Sequence, residues 1–156
     1  MDEKILEVIR KLKGKECCRV KVGEYKSLSL GFGKRIYHNN PKLNDTYYGE
    51  WEIGTYYCAW RIIQDGQILC DPIDAEEKEL AFCVKKLTFG KFLFLEQLNN
   101  FDVRVRLENG FVVDFLSSTS DDEYFHIFAP KNQYVELRQG GIWALGRTDQ
   151  PWEEKN

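Results

Sequence analysis

Catalysis or metal binding in this chain would have to draw on two histidines, five cysteines and a cluster of acids near residue 120. A Ser-His-Asp or Cys-His centre needs an imidazole beside its nucleophile, so His38 or His126 must serve. His126 alternates with Phe125 and Ile127. If those two face a core, it faces the other way as a plain strand residue. His38 lies between Tyr37 and Asn39 in a stretch rich in turn formers, where sites are commoner than on strands, although a solvated loop histidine is the simpler reading. Asp121, Asp122 and Glu123 follow Ser117-Ser118-Thr119-Ser120, just after a strand that carries Asp114. Paired carboxylates serve glycosidases and magnesium sites, but Ser-Asp-Asp is also good turn chemistry. As a recognition surface, Asp121 and Asp122 would steer a basic partner. An enzyme is the third reading, with Asp114, Asp122 and His126 as its constellation.

Cys17, Cys18, Cys58, Cys70 and Cys83 form no C-x-x-C, and two histidines do not complete a zinc site. Cys17 and Cys18 point to opposite faces if a strand begins there. Cys58, Cys70 and Cys83 sit on apolar faces and read as small core residues. An odd cysteine count, no signal-type N-terminus and no bilayer-length apolar run lead to the expectation of a reducing cytoplasm, reduced thiols and no membrane contact. Gly31-Phe32-Gly33 lacks the rest of a dinucleotide fingerprint, and no P-loop, G-x-S-x-G, H-E-x-x-H or EF-hand occurs. No cofactor and no metal are expected. The net charge of −3 disfavours a nucleic-acid binder, which needs a basic field. Two basic groups, Lys85, Lys86 and Lys91 and the run Arg10, Lys11, Lys13 and Lys15, read as solvated surface.

The elements that would position these residues are mostly strands. Asp65-Gly66, Asn109-Gly110 and Gly140-Gly141 each stand between strand-type runs, and Gly, Asn and Asp accept the φ > 0 that tight hairpins need. Ile5, Ile9 and Leu12 predict an amphipathic helix over 2–13, ended by Gly14. Strands are predicted over 18–22, 28–32, 47–53, 56–63, 68–70, 92–95, 101–107, 111–116, 124–128, 134–138 and 142–145. A second helix spans 74–87, with Asp74 as N-cap and Glu77 completing a capping box. Gly33 to Asn44 reads as one long irregular loop, a functional candidate by its length alone. Ten Phe, eight Tyr and four Trp suit either a β core or a binding face. The pattern predicts a single α+β domain over 1–148 with a polar tail, 149–156. Its sheet is curved and mainly antiparallel, or split into two packed sheets, with about eight to ten strands, an N-terminal helix and one mid-chain helix.

Gly49-Glu50-Trp51, Ala59-Trp60-Arg61-Ile62, Asp74, Val103 and Val105, Phe111 and Phe115 around Asn109-Gly110, and Asp121-Asp122 with Tyr124-Phe125 together resemble small bacterial domains of uncharacterised function. Some of these accompany polymorphic or contact-dependent toxin systems as immunity proteins. The resemblance covers 45–145. It implies a non-enzymatic inhibitor that covers the active site of a cognate toxin, and transfers no functional residue because such families bind through variable surfaces. Contact residues are therefore chosen by type and place: Tyr37, Tyr47 and Tyr48 as aromatic anchors, His38 beside them, and Asp121 and Asp122 as charge. The alternative is a small-molecule-binding β domain with an aromatic-lined pocket, which an internal apolar cavity would favour and a solid core would not.

Overall fold

Asp2 starts the first helix. Its side chain accepts the Ile5 N–H at 3.0 Å, satisfying one of the donors that a helix start leaves over. In the computed structural model, which describes residues 1–43, 45–56, 59–117 and 123–150, helix α1 (Glu3–Arg10) turns Ile5, Val8 and Ile9 inward. Leu12, just beyond the helix, is fully buried, and Gly14 leaves the turn at φ +80°.

Eleven strands follow among the described residues, in two antiparallel sheets. The six-stranded sheet has the order β1 (Cys17–Val22), β2 (Leu28–Tyr37), β3 (Tyr47–Gly54), β9 (Glu123–Ala129), β10 (Gln133–Arg138) and β11 (Ile142–Arg147). The five-stranded sheet has the order β5 (Gln67–Cys70), β4 (Trp60–Gln64), β8 (Phe111–Phe115), β7 (Val103–Leu107) and β6 (Phe92–Gln97). Helix α2 (Glu77–Lys85) links β5 to β6. Alternation drives the layering. Val103, Val105 and Leu107 are buried while Arg104 and Arg106 point out. The two inner faces share one core, where Phe32 of β2 meets Phe92 of β6 at 5.8 Å and Phe115 of β8 meets Phe125 of β9 at 5.3 Å. One corner is laced by backbone: Cys17 N–H donates to Gly90 O, Phe92 N–H to Lys15 O and Gly14 N–H to Phe92 O.

This is the expected α+β class with an N-terminal helix and a mid-chain helix; of the two sheet arrangements expected, the structure has the two-sheet one, with eleven strands among the described residues where about eight to ten were expected. Several local expectations need correction. Gly33 does not begin a loop; at φ +81° it sits in a bulge between Phe32 and Arg35, and β2 runs on to Tyr37. Asp74 is not the N-cap of α2. It adopts φ +59°, Glu76 takes the cap, and the Glu79 carboxylate accepts the Glu76 N–H at 3.1 Å. Of the three turn signals, only Asp65-Gly66 is a two-residue loop, between Gln64 and Gln67. The strand ends at Leu107 and Phe111 and the pairing Arg138↔Ile142 leave three residues in each of the other two, Glu108-Asn109-Gly110 and Gln139-Gly140-Gly141.

The largest correction concerns sulfur. Cys70 and Cys83 are not reduced core thiols but a disulfide. Strand β5 brings Cys70 to the sheet edge and α2 lays Cys83 beside it, with Cα atoms 6.5 Å apart, inside the bridging range. The redox argument for a reducing compartment therefore no longer holds for this pair. Cys17 and Cys18 are free, and Cys58 lies outside the described residues. No described helix is long and apolar enough to cross a membrane.

Candidate partner interface

Four of the residues selected by type converge at the end of the β2–β3 hairpin. In this ladder Tyr37 faces Tyr47 and Ile36 faces Tyr48, so side chains alternate between two surfaces of one ribbon. On one surface the Tyr37 and Tyr47 rings lie 5.5 Å apart, with the Arg35 guanidinium 5.0 Å over Tyr47. On the other, His38 stacks on Tyr48 at 5.6 Å and 20°. Tyr37 is 68% and Tyr48 43% exposed, so these rings contribute little to the core. In the segment that follows β2, Asn40 N–H donates to His38 Nδ1 and Lys42 N–H to Asn40 Oδ1. Lys34, Arg35 and Lys42 are exposed around it.

The hairpin is braced at its root. The Glu52 carboxylate accepts from Arg19 Nη1 at 3.1 Å, Ser29 Oγ at 2.9 Å and the Gly49 N–H at 2.7 Å. It occupies space over Gly31, where a Cβ would come within 2.8 Å of Glu52 Oε1. Arg19 also pairs with Asp45, which takes Lys21 Nζ at 2.7 Å. Burial pushes the Asp45 carboxyl up, but hydrogen bonds from Lys21 and Arg19 outweigh it and hold it below its usual value. Tyr47 Oη donates to the Cys18 carbonyl at 3.2 Å. Exposed rings thus stand on a base fixed by charge-assisted hydrogen bonds, a preorganised arrangement suited to binding.

The remaining sequence-selected residues fall elsewhere. Asp121 and Asp122 lie outside the described residues. His126 points away from the core as its alternation predicts, yet it is buried, covered by Tyr56 at 4.6 Å, Phe128 at 5.0 Å and Tyr134 at 6.3 Å. Its neighbour across β10, Glu136, is also buried and pairs with Arg138. Beside them lies an open depression of about 820 Å³, lined by Tyr56, Phe128, Tyr134 and Glu136 with Arg138 and Arg147. The sequence reading missed this group. Its signal was His126 and Phe128 at i and i+2 opposite Phe125 and Ile127, since a strand with aromatic rings on both faces does not leave its second face to plain solvent.

Asp114 projects from the outer face of the five-stranded sheet, and His126 from the outer face of the six-stranded one. Phe115 and Phe125 pack between them. The two groups point apart, so the proposed catalytic constellation is not assembled. Among the described residues no group of three or more His, Cys, Asp or Glu is placed to hold a metal. A second depression, of about 600 Å³, runs between β1 and α2 and is lined in part by the free cysteines Cys17 and Cys18. Burial pushes the Cys17 thiol up to about 12 and raises that of Cys18, the opposite of what a nucleophile requires.

Neither a protein-family model, nor a curated protein, nor a solved structure matches this chain.

Proposed function

We propose that the chain is a non-enzymatic protein-binding domain, an immunity-type inhibitor that covers the active site of a toxin with its β2–β3 hairpin. The observation that carries this reading is the exposed pair Tyr37 and Tyr48, each packed on a half-buried ring, Tyr47 and His38, on a braced ribbon, because rigid aromatic residues supply large contact area at small entropic cost. The dispersal of Asp114 and His126 to opposite faces supports a binding role over a catalytic one. The toxin as partner comes from the sequence resemblance; a cytoplasmic site of action comes from the odd cysteine count and the N-terminus without a signal pattern, and the Cys70–Cys83 bridge counts against it. Asp121 and Asp122 remain part of the proposal as steering charge.

The test is capture of the partner from native lysate, followed by co-expression with it. A toxic partner is expected to be silenced by the wild type. A Tyr37→Ala/Tyr48→Ala variant is expected to fold normally and lose about 2 kcal/mol or more of binding, as hot-spot truncations do. Equal capture and equal silencing by the double variant would remove the hairpin from the interface.

Small-molecule binding has one observation in its favour, the depression walled by Tyr56, Phe128 and Tyr134. It lies outside the intersheet core and is open. A ligand held there would shift the ring resonances of Tyr56 and Tyr134 and leave those of Tyr37 and Tyr48 in place; the reverse pattern would remove this reading.

A further inference from the structure

The outer face of the five-stranded sheet is open among the described residues. Ile68 is 55% and Phe94 48% exposed there. Register sorts this face into two rows that cross the strands. One reads Ile68, Ile63, Val112, Arg106 and Phe94 from β5 to β6. The next reads Arg61, Asp114, Arg104 and Glu96. The first row is apolar apart from Arg106, whose guanidinium lies 5.7 Å from the centre of the Phe94 ring.

The second row holds its arginines in place. Asp114 has no exposed surface; Arg61 Nε reaches it at 2.7 Å, and Arg104 grips it with Nε at 2.6 Å and Nη2 at 3.0 Å. Arg106 Nε bonds Glu96 at 2.6 Å. No other hydrogen bond among the described residues engages the remaining N–H groups of these three arginines. Three partly exposed guanidinium groups therefore stand beside an apolar row, fixed in position and with donors to spare.

We propose that this face docks an amphipathic helix of a partner protein, its apolar stripe laid on the Ile68–Phe94 row and its flanking carboxylates on Arg61, Arg104 and Arg106. The row crosses five strands, about 19 Å at the usual strand spacing, which is the length of about 13 helical residues. A helix laid on a sheet is the ordinary way to cover such a face, and guanidinium forks favour carboxylates through paired hydrogen bonds. A single-stranded nucleic acid fits less well. Phe94 is the one aromatic ring in the two rows, and Glu96 and Asp114 interrupt the cations that phosphates would follow. The surface lies on the other sheet from the β2–β3 hairpin, and the proposal stands independently of the inhibitor reading.

The probe is a fluorescein-labelled peptide of about 14 residues, with leucines at helical i, i+3, i+4 and i+7 spacing and glutamates on both flanks, titrated against the full chain by anisotropy. Binding is expected to be about tenfold or more tighter than for the same peptide with lysine flanks, and to weaken as salt is raised. Ile68→Asp, at an exposed position that leaves the core untouched, is expected to weaken it about tenfold. Tyr37→Ala/Tyr48→Ala is expected to leave it unchanged, which separates this surface from the hairpin. The proposal is overturned by equal affinity for glutamate and lysine flanks, by no effect of Ile68→Asp in a variant with wild-type melting, or by an oligothymidylate binding this face while the glutamate peptide does not.

Discussion

Replacing Arg61 and Arg104 together by methionine is expected to cost about 3–5 kcal/mol of folding stability, because it leaves the Asp114 carboxylate buried and unpaired. Either single replacement is expected to cost less, about 1.5–3 kcal/mol, since the other arginine still donates. The three residues act as a unit, so the costs will not add. In an Asp114→Asn background, with no charge left to strand, the double arginine replacement is expected to lose much of its effect. Burial pushes the Asp114 carboxyl up, but hydrogen bonds from Arg104 and Arg61 outweigh it and hold it below its ordinary value. A depressed folded value means that this contribution is complete above the unfolded value near ~4, and is lost as pH falls through the folded one. Without the arginines burial acts alone and raises the folded value, so the carboxylate becomes a penalty that is present at neutral pH and is relieved as pH falls toward the unfolded value near ~4. Urea titrations of the wild type and the double variant at neutral and acid pH read both effects. A neutral-pH difference below about 1 kcal/mol would show that Asp114 is not held as described.

Opening the Cys70–Cys83 bridge is expected to cost about 3 kcal/mol, the loop-closure entropy of a crosslink of this span. In a domain of this size that is a fall of about 6–12 °C in Tm. The bridge ties α2 to β5, the edge strand of the smaller sheet, so its loss should loosen the helix before the sheets. Cys70 is buried and Cys83 partly exposed, so Cys83→Ser is the milder way to remove the crosslink. In the bridged protein Cys83 Sγ lies 3.4 Å from the Leu69 carbonyl, so a reduced thiol at that place can donate a weak hydrogen bond that offsets a little of the loss. Thermal melts with and without dithiothreitol, beside Cys83→Ser, are the measurement. Identical melts for oxidised and reduced protein would rule out a stabilising bridge.

What was legible in the sequence was whatever depends on near neighbours. Alternation in 103–107 and 111–115 gave the hairpin and its buried face, and Ile5, Ile9 and Leu12 gave the first helix. Asp65-Gly66 turned as read because both residues take positive φ between directly paired strands. The same signal at Asn109-Gly110 and Gly140-Gly141 hid a third loop residue, since Glu108 and Gln139 are no different in type from strand residues. Gly33 read as an end because glycine breaks strands and bulges them alike, and only the partner strand tells which. The hairpin rings were found because loops and tyrosines are informative by type. The His126 cluster, the Cys70–Cys83 bridge and the Arg61–Asp114–Arg104 row were not found. Each is made by residues that meet only after β4, β8 and β7, or β5 and α2, or β9 and β10, have been placed side by side.

The order of the strands also sets the order in which the chain can be made. The five-stranded sheet uses residues 60–97 and 103–115 and is complete once β8 has been synthesised. The six-stranded sheet is split around it, with β1, β2 and β3 made first and β9, β10 and β11 made last. A growing chain adds about 5–20 residues per second, so β3 waits on the order of seconds for the strand that pairs with its far edge. During that interval the edge formed by Glu52, Ile53 and Gly54 is unpaired and can template pairing with another nascent chain. The smaller sheet is thus finished while the larger is half built, and the period between the emergence of β3 and that of β9 is when the polypeptide most needs shielding from its own copies.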